Sequence, residues 1–179
     1  MGSRRARRVR ALRRLGAPLL GALLATFLGV AGVAGAQNSG QIANIEVTVT
    51  LTSKQTVLTQ VGKGGDITYG WNQLTGSTDT PSGKTDVELL GNVDYRNGSG
   101  RFFGFVTMKF ASLSTLGFVM EGSATKQADS STKLKATLKA IDGNAAFTAA
   151  RGTGSFTGTR AAALGSPIEI TIKAKLRLS

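Results

Sequence analysis

The chemistry open to this chain is narrow, because it has no histidine and no cysteine. That excludes a Ser-His triad, a thiolate nucleophile and zinc sites built on imidazole or thiolate. What remains is ten carboxylates, 22 lysines and arginines, two tyrosines and the hydroxyls. No spacing among them marks a metal site, and neither a metal nor a cofactor is expected.

The stretch RGTGSFTGTR, residues 151–160, has the look of a phosphate cradle. A dinucleotide loop needs G-x-G-x-x-G opening a helix. Gly152 and Gly154 fit the first two positions, but Thr157 stands at the third and the next glycine is Gly158. A P-loop ends in Gly-Lys-Ser/Thr, and no lysine is present. A short Ala run, Gly165, Pro167 and an alternating segment follow, which is no helix. The stretch has two kin in the chain, DGNAAFTAA (142–150) and NGSGRFFGF (97–105). Each mixes small residues with phenylalanine, which predicts a repeated strand-and-bend unit with one buried aromatic apiece. Arg151 and Arg160, at the ends of the first stretch, are expected to be solvated or paired with acids such as Asp142.

The elements that position these residues are strands. Residues 45–51, 132–141 and 168–178 alternate apolar with polar or charged side chains at period two. Weaker alternation covers 55–62, 65–72, 84–96, 101–110 and 115–126, with GKGGD, GSTDTPSGK, RNGSG and KQADSST as turns and loops. About eight strands, each with one wet face, predict an all-β fold: a small antiparallel eight-stranded closed barrel, since closure removes edge strands. An outer-membrane barrel would carry aromatic girdles, which this chain lacks.

Alternation assigns each acid to a face. Glu46, Asp66, Asp86, Glu88, Asp94, Glu121 and Glu169 stand opposite apolar neighbours, and Asp79, Asp129 and Asp142 lie in or beside turns. A catalytic carboxylate with a raised pKa needs a desolvated pocket, and no acid falls on an apolar face. Bulges flip faces, and Glu121 beside Gly122 and Asp94 near NGSG are where a flip is easiest. These two are the catalytic candidates. Tyr69, Trp71, Tyr95, Phe102 and Phe118 read as apolar-face residues, so they are the candidates to contact a substrate in a lumen. The same placement also serves plain core packing.

The first 36 residues read as a separate segment. MGSRRARRVRALRRLG carries seven arginines, an apolar run follows, and Ala34-Gly35-Ala36 precedes Gln37. These are the three parts of a secretory signal, so residues 1–36 are expected to be removed and 37–179 to form one barrel domain, secreted or periplasmic. An uncleaved membrane anchor is the alternative, because the apolar run is long enough to span a bilayer. Seven of the 22 basic residues lie in that segment, which leaves 15 against ten acids and a net of +5. The remaining cations are scattered, and no nucleic-acid partner is expected.

At NGSGRFFGFVTMKF and AIDGNAAFTAARGTGSFTGTR the chain resembles the allene oxide cyclase and dirigent barrel superfamily. Members tend to carry Gly-Gly-Thr-Gly-x-Phe/Tyr-x-x-Ala-x-Gly near the end of an eight-stranded barrel. Asp142 to Gly152 looks like that element, and departs from it where Asn144 and Ala145 or Ala146 occupy the second and fourth glycine-type positions. The resemblance spans roughly residues 87–178, and no catalytic residue of the plant enzymes aligns with it. It implies an apolar barrel cavity, a small hydrophobic ligand or radical-coupling product, and often a homotrimer. Three functions follow. One is an exported barrel that binds a small hydrophobic molecule without chemistry. The second is a cyclase-like or dirigent-like isomerase that steers ring closure or coupling. The third is a structural or surface protein with a filled barrel.

Overall fold

A computed structural model of the protein describes residues 40–179. The signal, the cleavage site and the anchor alternative, all read from residues 1–36, lie outside the described residues. Eight strands follow in order: β1 (Gln41–Val61), β2 (Ile67–Thr80), β3 (Gly83–Arg96), β4 (Ser99–Phe110), β5 (Thr115–Lys126), β6 (Thr132–Gly143), β7 (Arg151–Arg160) and β8 (Ile168–Leu178). Each pairs antiparallel with the next, and β8 returns to β1, so the sheet closes. The expected closed barrel is the observed one.

Two of the expected strands are one. Residues 45–51 and 55–62 are joined in β1 across a bulge at Lys54, where the register with β2 slips between Ser53 and Gln55. The eighth strand is instead β7, the phosphate-like stretch. The loop expected at 76–84 is mostly strand, because β2 runs to Thr80 and β3 starts at Gly83. The β3–β4 connection is a two-residue hairpin. Asn97 and Gly98 both have positive φ, 52° and 81°, the geometry that Asn-Gly adopts readily and that matches strand twist.

The three kindred nonamers do not form a repeated unit. Residues 97–105 span the β3–β4 hairpin, 151–159 are strand β7, and 142–150 leave β6 through a 3₁₀ turn at Ala145–Phe147. What they share is small residues beside an aromatic. Phe102 and Phe156 are buried, whereas Phe147 is half-buried and packs on Phe110, ring centroids 5.0 Å apart.

In every strand except β2 the inward face is the apolar one, and β4 carries Phe103 and Phe105 outside as well. At the end carrying the β2–β3, β4–β5 and β6–β7 connections the lumen is filled: Met108, Leu116, Phe118, Met120, Ile172 and Leu176 are fully buried. Each such side chain contributes about 1.5–3 kcal/mol by leaving water. The opposite end is packed except for one small cleft.

Candidate functional site

At that opposite end the chain leaves a cleft of about 50 Å³ that opens to solvent. This is room for about four waters, so a larger guest must extend out of the mouth. Its walls are apolar: Leu74, Leu89, Val93, Leu134, Phe156 and Ile168, with Phe102 tilted at 53° to Phe156 and centroids 5.8 Å apart. The rim is the β7–β8 loop, through Leu164, Gly165 and Ser166.

A hydrogen-bonded chain fixes that rim, and the β1 bulge creates it. The extra residue at Lys54 lets both Ser53 and Thr56 face Asn72. The Thr56 hydroxyl donates to Asn72 Oδ1 at 2.9 Å, Asn72 Nδ2 donates to Ser53 Oγ at 3.0 Å, and Ser53 Oγ donates to the Gly165 carbonyl at 3.2 Å. Asn72 is buried with its side chain satisfied from both ends, as a buried amide must be.

Two further polar groups reach the cleft, Tyr95 and Arg160. Arg160 was expected to be solvated or paired with an acid, and it is neither. It is 5% exposed, its Nη2 donates to Thr132 Oγ1 at 3.1 Å and its Nε to the Ala162 carbonyl at 3.2 Å. The physical reason is parity: on β7 Gly152, Gly154, Phe156, Gly158 and Arg160 share one face, and Phe156 turns it inward. Arg151, one strand-length away and of opposite parity, is exposed as expected. Burial raises the pKa of the Tyr95 phenol, partly offset by the charge and hydrogen bonding of Arg160.

The structure places the other candidates as follows. Tyr95 and Phe102 line the cleft. Phe118 is in the filled half of the lumen, away from the cleft. Tyr69 and Trp71 are not in the lumen: Tyr69 is 50% exposed and Trp71 half-buried on the outer wall. In β2 the inward positions are Asn72 and Leu74. Two aromatic residues mimicked an apolar face, and the polar Asn72 hid the real one. Trp71 joins Val57, Leu90, Phe103 and Phe105 in an exposed apolar strip across the outside of β1–β4. Glu121 and Asp94 are exposed on the outer wall, opposite Phe103 and Arg101 respectively. No flip brings them inward. Each of the ten acids is exposed or half-buried, and none lines the cleft.

The closed eight-stranded antiparallel barrel has a counterpart among solved structures. The structure superposes on that of the pterocarpan synthase dirigent protein with a TM-score of 0.51, covering 86% of this chain and 98% of that chain. Identity is 10%, so the likeness is one of fold. No family model and no curated protein sequence matches the chain.

Proposed function

We propose that this protein holds a small, mainly apolar molecule in the end cleft and fixes its orientation there. The observation that carries this is the cleft itself, with apolar walls, Tyr95, Asn72 and Arg160 converging on it, and a rim fastened to β1 through Ser53 and Gly165. A few fixed polar groups in an apolar concavity are what orients a small ligand. The cleft left at one end of the lumen argues against a purely structural barrel. The fold shared with a dirigent protein named for pterocarpan synthesis supports a second step, in which the held molecule is steered into ring closure or coupling. Orientation alone accelerates such a step when the reacting ends are held near contact. The absence of any carboxylate from the cleft lining argues against carboxylate acid–base catalysis there.

The test is calorimetric titration of the protein with small apolar alcohols and phenols, beside a Leu134→Trp variant. Leu134 is a buried cleft wall, and the larger side chain fills the space. Binding is expected in the wild type and at least about tenfold weaker in the variant, with the circular dichroism spectrum retained. Affinity for neutral guests should be flat from about pH 6 to 9, because the chain has no histidine and Tyr95 titrates above 10.0. Absent binding, or equal binding by both proteins, overturns the proposal.

A further inference from the structure

We propose that Arg160 is the seat of a carboxylate, so that the guest of the cleft is a compact monocarboxylate, aliphatic or single-ringed, with its apolar body against Phe102 and Phe156. The inference rests on the reading that the cleft holds an apolar molecule, and names the chemical class of that molecule.

The argument starts from a charge without a counter-charge. Arg160 is 5% exposed, yet its neighbours are neutral: the Thr132 hydroxyl, the Ala162 carbonyl and the Tyr95 phenol. A guanidinium cannot shed its charge to suit burial. Buried charges are costly unless paired and hydrogen-bonded. The acids that pair do so outside: Glu46 with Lys173 at 2.8 Å, Asp66 with Arg96 at 3.4 Å and Asp86 with Lys84 at 3.5 Å. No carboxylate lies within 4.0 Å of Arg160 among the described residues.

The donors left over have a direction. The Tyr95 phenol is a neighbour of the guanidinium, Nε and one proton of Nη2 are engaged, and Nη1 makes no further bond of hydrogen-bonding geometry among the described residues. It is also not sealed off, since no buried side-chain nitrogen or oxygen lacks a partner. Arg160 lines the cleft, so the guanidinium donors not spent on Ala162 and Thr132 can meet a guest there. They form the planar fork that a carboxylate engages with two parallel bonds. The Tyr95 phenol stands in the same lining and adds a hydroxyl donor.

The same lining sets the class of anion. Arg160 is its only cation, so one negative charge is matched and a phosphate dianion is left half-compensated. The enclosed space of about 50 Å³ accepts a short chain or the edge of one ring, with the remainder in the mouth.

The experiment is titration calorimetry of the protein with benzoate and hexanoate, each beside its neutral counterpart, benzamide and hexanol. The wild type is expected to prefer each carboxylate by at least about tenfold. Arg160→Met keeps an apolar stem without charge, and should lose the preference while still binding the neutral compounds. Arg160→Lys, which keeps the charge but not the fork, should retain part of it. A melting curve of each variant establishes that it is folded. Should Arg160→Met not fold, the wild-type preference and its reduction in Arg160→Lys still decide the matter. Equal affinity for carboxylate and neutral counterpart overturns the Arg160 proposal and leaves the cleft reading standing. Binding of neither overturns the cleft reading, and with it the proposal. Inorganic phosphate binding as tightly as benzoate overturns the assignment of class.

Discussion

Substituting Gly158 tests whether the small residues of β7 are packing points or idle spacers. A Cβ built there lies 2.7 Å from the Glu169 carbonyl oxygen, 2.8 Å from Ile170 Cγ2 and 3.1 Å from Phe156 Cε2. Ordinary carbon contacts sit near 3.5–4.0 Å, so roughly 0.7–1 Å of relief is needed. Two of the three neighbours belong to β8, whose partnership with β7 is Gly158 opposite Ile170. Relief must spread the pair or rotate Ile170, which is 1% exposed and has no free volume to enter. Overpacking of this kind costs about 1–3 kcal/mol. Gly158→Ala should fall at the low end and Gly158→Val at the high end. Gly64 is the control: nothing lies within 4 Å of its Cβ position, so Gly64→Ala should be neutral or stabilising by up to about 1 kcal/mol through the unfolded chain. Urea unfolding followed by circular dichroism reads all three. With a slope of about 2 kcal/mol per molar, Gly158→Val should lower the midpoint by roughly 1–1.5 M. An unchanged midpoint, or an equal fall in Gly64→Ala, refutes the claim that close approach of β7 to β8 requires the missing side chain.

Two further outcomes are expected. Asp142 accepts hydrogen bonds from the Gly143 and Ala149 amides at 2.7 and 3.1 Å, and these hold its carboxyl below the ordinary 3.8. A lowered folded pKa adds stability above the unfolded value and loses it as pH falls through the folded one. The gap in urea midpoint between wild type and Asp142→Asn should therefore narrow as pH drops below 3.8; a constant gap would refute it. Export with cleavage after Ala36 predicts an intact mass beginning at Gln37 in secreted material, and recovery of the full chain in a membrane fraction would sink it.

The barrel was legible because closure and period-two alternation leave little choice: β6 and β8 each read as one apolar and one charged edge, and both were found where expected. The failures come from three local causes. A bulge at Lys54 let one long strand pass for two. The inward face of β2 carries Asn72, so its aromatic outer face was taken for the lumen side. Glycine-rich β7 has so few side chains that its alternation was read as bends, although Phe156 fixes its parity.

That parity bears on what the cleft is for. No acid stands on an inward face, but among the cations Arg160 does: it lies four residues from Phe156 and hence on the same face of β7. Every lysine of β6 and β8 stands on the outward face. A chain that keeps its acids out of the lumen and admits an arginine at the open end leaves a charge that its own described residues do not neutralise. The bonds of Arg160 to the buried Thr132 hydroxyl and to the Ala162 carbonyl hold the side chain in place but supply no counter-charge. In the cleft lining with Tyr95, Phe102 and Phe156, Arg160 stands where the proposed carboxylate guest would supply the missing counter-charge.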